Sequence, residues 1–176
     1  FFLFIYNQLF NFKLIFHLDT KSPSFKYTLA LELLTLFFSI ILAFLVLLPL
    51  TNKEVDYPFF TENTVFIFTF ILVTRYLFFL KYSFLAKQQA IKVGLFFIFI
   101  PFIFYLIGSF HGFRTFLDEE GMYAPMRNLP ADKALWLGNY MYYEMVLFGS
   151  GSIVACIIFP FRLIFSVWTL KNRGKV

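Results

Sequence analysis

Four stretches of the chain are apolar over lengths that leave few folds open to it. They run through about residues 28–50, 60–80, 91–110 and 143–168, and each supplies the roughly 20 helical residues that a hydrocarbon layer of about 30 Å requires. A segment in lipid must satisfy its own backbone N–H and C=O groups, so stretches of this length are expected as helices. The expected fold class is all-α: an integral membrane four-helix bundle with both termini on the same, cytoplasmic side, preceded by an N-terminal in-plane amphipathic helix. Residues 1–20 form that interfacial helix and 21–176 a single four-span domain, with residues 111–142 as its outer loop.

Composition removes the soluble alternative. Of 176 residues, 60% are hydrophobic, 24% aromatic and only 14% charged, and thirty are phenylalanine. A core of this size in water cannot bury so much, so a large share of the apolar surface must face lipid or other subunits. Cys156 is the one cysteine, which excludes a disulfide scaffold and a cysteine-rich metal module.

Orientation follows from lysines and arginines near the span ends. Lys13, Lys21 and Lys26 precede the first span, Lys81, Lys87 and Lys92 lie between the second and third, and Lys171, Arg173 and Lys175 follow the fourth. The two opposite connections carry Lys53 alone and then Arg114, Arg127 and Lys133 amid acidic residues. The three basic clusters are therefore expected in the cytoplasm. The net charge of +5 is accounted for by this topology and by anionic lipid, so no nucleic-acid partner is expected.

The chain begins with Phe1 rather than methionine, so further residues are expected ahead of it. At 100° per residue, Phe1, Phe2, Ile5, Leu9, Phe12 and Phe16 share an arc free of polar residues, a stripe that faces the membrane or a partner. A signal peptide fits poorly, because no basic region precedes the apolar run and no small-residue cleavage site follows it.

Ionisable side chains within spans are costly, and each is a functional hypothesis with a partner to be named. Glu32 near the start of the first span and Arg75 near the end of the second reach similar depth in an antiparallel hairpin, so they are a candidate intramembrane ion pair. The alternative is that Arg75 snorkels to the cytoplasmic phosphates and Glu32 sits wet at the interface. Arg162 lies at the same level as an excess cation, expected to meet lipid phosphate or a partner's acidic group. Glu144 reads as an acid at the start of the fourth helix, favoured there by the helix dipole. Gly149, Gly151, Ser152 and Ala155 form a small-residue patch, with Gly151 and Ala155 at the spacing of close helix packing, either within the bundle or against another subunit.

The outer segment carries Trp136, Tyr140, Tyr142 and Tyr143 as an aromatic belt. The acidic run from Asp118 to Glu120 reads as a solvated loop rather than a cation site. Met122, Met126, Met141 and Met145 repeat at i, i+4, which packing explains as readily as Cu(I) binding. There is no P-loop, HExxH, GxSxG, cysteine pair or pair of intramembrane histidines, so no catalytic residue, cofactor or metal is expected. The heavy use of Phe, Ile, Tyr, Lys and Asn fits an AT-rich coding sequence and points to a bacterial inner membrane. The expected function is a small accessory or scaffold subunit of a larger membrane complex, with a complex driven by ion flow as one candidate host, and its expected partners are the lipid bilayer and other membrane proteins. The rival is a small ion or solute channel or transporter acting as an oligomer, with Glu32, Arg75 and Arg162 lining a vestibule. A membrane enzyme acting on lipid through the outer acids ranks below both.

Overall fold

A computed structural model describes residues 25–52, 54–86 and 88–172 of the chain. The expected in-plane helix, with Phe1, Phe2, Ile5, Leu9, Phe12 and Phe16, lies outside these residues. The described residues are all-helical: α1 (Phe25–Leu47), α2 (Phe60–Phe79), α3 (Gln89–Glu119) and α4 (Ala131–Asn172), with short 3-10 turns in the connections. Four segments, Leu29–Thr51, Phe60–Tyr82, Gln89–Glu119 and Ala131–Thr169, are long and apolar enough to cross a membrane.

Proline sets one end and spares two middles. Pro49 falls in the 3-10 turn Leu48–Thr51 that closes α1, where its missing N–H removes a bond the helix no longer needs. Pro101 and Pro160 sit inside α3 and α4, and both helices continue through them. Gly121, with φ of 89°, makes the turn after α3 in the left-handed region that glycine enters at little cost.

The segment 111–142 differs most from the expectation of an outer loop. α3 continues to Glu119 and α4 already begins at Ala131, so the connection between them is only 120–130. α4, with 42 residues, is about 63 Å long at 1.5 Å per residue, roughly twice the hydrocarbon thickness. Its first turns and the last turns of α3 pack rather than dangle, because Phe113, Leu117, Leu137 and Met141 recur one helical turn apart within their helices. Phe113, Leu137 and Met141 are buried, with Met126 of the connection also in the core and Leu117 packed against it.

α4 packs most extensively on α2 and α3, while α1 rests chiefly on α2. Successive helices run antiparallel: Glu32 of α1 meets Arg75 of α2, and Lys92 of α3 meets Ser166 of α4. The core is aromatic and interlocked. Phe66 stands edge-on to Phe110 at 6.2 Å, Phe70 edge-on to Phe148 at 5.6 Å, and Phe99 lies 4.8 Å from Phe159, separations at which ring quadrupoles attract. Three of the four methionines, Met126, Met141 and Met145, are buried in this core. Large apolar residues cover much of the outside, among them Leu33, Phe37, Phe38 and Phe44 of α1, Phe97 and Phe104 of α3, and Phe161 and Phe165 of α4.

Candidate functional site

Two clusters of polar side chains lie at opposite ends of the helices, and each joins elements distant in sequence. At the first end, Glu32 accepts three hydrogen bonds. Arg75 Nη1 and Tyr76 Oη, the latter at 2.9 Å, donate to Oε2, and the backbone N–H of Phe84 donates to Oε1 at 3.0 Å. The Glu32 and Arg75 side chains are 16% and 17% exposed, so the structure brings this pair together in a largely enclosed setting. The Arg75 guanidinium also lies 5.3 Å from the Tyr76 ring centroid, within cation–π range.

At the same end Lys92 is fully buried and its Nζ donates to Ala86 O at 2.7 Å and to Ser166 Oγ at 2.9 Å. Glu32 and Lys92 together satisfy a backbone donor and a backbone acceptor of the short segment between α2 and α3. Arg162 is exposed and makes no ion pair among the described residues; it takes no part in the Glu32 cluster.

The second cluster was not anticipated as a unit. Asn63 Nδ2 donates to Glu144 Oε2 at 2.6 Å and lies 3.3 Å from Tyr57 Oη, which accepts from it. Asn63 is fully buried and Glu144 only 6% exposed. The reading of Glu144 as an acid at the start of the fourth helix is therefore corrected: α4 begins at Ala131, which leaves Glu144 more than three turns inside the helix and beyond the reach of its N-terminal dipole. Tyr57, in the connection before α2, has its hydroxyl held well above the usual phenol range by burial, with the negative charges of Glu144 and Glu62 adding to the effect and the Asn63 hydrogen bond opposing it. Among the described residues three buried oxygens have no partner: Asn63 Oδ1, Glu144 Oε1 and Glu62 Oε2. Nearby, Tyr140 Oη donates to Val46 O at 2.7 Å, and Asp56 N–H donates to Pro125 O at 2.9 Å. These two bonds tie α1 to α4 and one connection to the other. An asparagine three residues into the second apolar stretch and a glutamate at the start of the fourth were the sequence signals for this cluster.

The small-residue patch is a packing surface between helices of this chain. A Cβ on Gly149 would lie 2.6 Å from Phe110 Cδ2 of α3, and one on Gly151 would lie 2.7 Å from Phe70 Cε2 of α2. Each glycine is thus a notch for a phenylalanine ring. Ala155 is buried, and the buried Ser152 turns its hydroxyl to Gly149 O at 2.9 Å.

Asp118, Glu119 and Glu120 are exposed, with Glu120 paired to Arg127 at 3.0 Å. Among the described residues no group of three or more His, Cys, Asp or Glu side chains is placed to hold a metal ion. Trp136 stacks on Tyr140 at 5.7 Å and Tyr143 is exposed. No protein family, curated protein or solved structure matches this chain.

Proposed function

We propose that the chain is a small multi-pass accessory or scaffold subunit of a larger membrane protein complex in a bacterial inner membrane. In this reading its four spans form a bundle, and the end that carries Lys81, Lys92 and Arg162 faces the cytoplasm, as do both termini. The observation that carries it is how the Glu32 cluster spends its polar groups. Both carboxylate oxygens, the guanidinium and the Tyr76 hydroxyl are bound to one another or to backbone, so they fasten helices and present no lining for a vestibule. Around this fastened interior, α1 and α3 carry broad apolar faces suited to lipid and to partner helices.

The test is extraction of the tagged protein from its native membrane in mild detergent, followed by native mass analysis. A stoichiometric companion is the expected result. A lone monomer or homo-oligomer overturns the proposal and favours the second reading, an oligomeric ion or solute transporter. The buried, incompletely bonded Asn63 and Glu144 are the observation on the side of that second reading, because polar residues of this kind mark ion pathways in membrane proteins. Ion flux through proteoliposomes, compared between wild type and Glu144→Gln, separates the two.

A further inference from the structure

The Asn63–Glu144 contact leaves an imbalance of donors and acceptors. A carboxylate offers acceptors only, and an asparagine amide offers two N–H donors and one oxygen. Asn63 Nδ2 spends its donors on Glu144 Oε2 and Tyr57 Oη. Among the described residues Asn63 Oδ1 and Glu144 Oε1 then remain buried without a partner, a condition that is costly for a neutral group and more so for a charged one.

One proton repairs both defects. An amide and a carboxylic acid joined by an N–H···O bond carry their second oxygens on the adjoining carbons. A hydrogen on Oε1 can be donated to Oδ1, which closes an eight-membered ring of two hydrogen bonds. Turning the amide over leads to the same conclusion. Oδ1 would then stand at the 2.6 Å contact with Glu144 Oε2, two acceptors that a shared proton joins.

Among the described residues the surroundings supply no competing cation. Tyr57 comes from the connection before α2, Glu62 adjoins Asn63 on α2, and Tyr140 lies one turn before Glu144 on α4; these are acids, not cations. α1 contributes the Val46 carbonyl, already taken by Tyr140. His111 and Arg114 of α3 are exposed, and among the described residues no lysine, arginine or histidine forms an ion pair with Glu144. An ionised Glu144 would be a buried charge with no counterion, the arrangement that proteins avoid by taking up a proton.

We propose that Asn63 and Glu144 form a buried proton-binding site, in which a proton carried on the Glu144 carboxyl is shared with Asn63 Oδ1 and links α2 to α4. The site stands whether the chain works alone or within a complex. Its ligand is the proton itself.

Infrared spectroscopy of the reconstituted protein tests this directly. Wild type labelled with 13C-glutamate at pH 7 is expected to show the carbonyl stretch of a protonated carboxylic acid, and Glu144→Gln to lose it. Absence of that band from the labelled wild type overturns the proposal and assigns the two orphan oxygens to water or a metal cation. This arm needs no variant to fold.

Stability gives an independent reading. The native state holds one proton that the unfolded chain releases above the ordinary glutamate value of about 4.3, so wild-type stability falls as pH rises. The folded-to-unfolded ratio of Glu144→Gln relative to wild type is expected to rise about tenfold per pH unit from pH 5 upward, until Glu144 gives up its proton. A glutamine variant less stable than wild type by a constant factor across this range overturns the proposal.

Discussion

Replacing Glu32 with alanine strands three donors at once, and the structure sets the size of the effect. Arg75 Nη1, Tyr76 Oη and the Phe84 N–H all lose their acceptor. Hydrogen bonds to a charged group contribute about 1.5–3 kcal/mol each, and their sum is not additive within one cluster. A total loss of about 3–5 kcal/mol follows, the range for removing one member of an enclosed ion pair. Arg75→Ala is milder, at about 2–3 kcal/mol, since Glu32 keeps two of its three donors. The double variant isolates the pair: its coupling energy is expected at about 1.5–3 kcal/mol. Reversible unfolding by SDS in mixed micelles, at fixed pH and salt, measures all four corners of this cycle. A coupling below about 0.5 kcal/mol would show that Arg75 finds its counter-charge among lipid phosphates. Equal costs for the two single variants would refute the reasoning that Glu32, and not Arg75, is the hub.

Other substitutions separate packing from propensity. Gly151→Ala forces its new methyl against Phe70, whose ring is itself braced edge-on by Phe148; overpacking of about 1–3 kcal/mol outweighs the gain of up to about 1 kcal/mol in helix propensity. Gly108→Ala meets nothing within 4 Å, so the same micelle assay should find it neutral or stabilised by up to about 1 kcal/mol. Ser166→Ala removes an acceptor from the buried Lys92 and is expected to cost about 1–2 kcal/mol, while Thr169→Ala, whose exposed hydroxyl bonds only its own helix, should cost less than about 0.5 kcal/mol. Tyr57 keeps its proton in the folded protein beyond the ordinary value of about 10. Its contribution to stability is therefore intact below pH 10 and declines as the unfolded state ionises above it. In an alkaline absorbance titration to about pH 11, Tyr57→Phe should show the same tyrosinate amplitude as wild type while folded, and a smaller one after unfolding.

The spans were legible because apolar length is a property of local sequence. Their ends were less so: α3 and α4 run on through 111–119 and 131–142, where polar and charged residues alternate with a buried stripe too sparse to stand out against the spans. Glu32 and Arg75 could be matched because a short connection fixes the register of one hairpin. Asn63 and Glu144 are 81 residues apart, and no hairpin register relates them; only the packing of α4 against α2 does so. For the same reason Lys92 read as one of several cytoplasmic lysines, although its amine is enclosed between an 84–86 turn and α4. The small-residue patch declared a close approach but not its partner. The phenylalanines that fill the notches, Phe70 and Phe110, are two among thirty.

In water these helices would be driven together by their apolar faces, but lipid tails solvate those faces as well as a neighbouring helix does. What positions the helices must therefore come from groups that lipid cannot satisfy. α1 shows the consequence most clearly. Its buried contact is a narrow strip through Ser39, Ala43 and Leu47, while Leu33, Phe37, Phe38 and Phe44 point outward. Polar bonds pin it near both ends, Glu32 to Arg75, Tyr76 and the Phe84 N–H at one and the Val46 carbonyl to Tyr140 at the other. Between α4 and its two main neighbours the same task falls to the glycine notches and to the Asn63–Glu144 bond. The polar residues that most invite a search for chemistry are thus also the ones that specify the fold. Glu32 has every oxygen engaged, and fastening accounts for it in full. Glu144 has one oxygen left over, and that remainder separates a joint from a binding site.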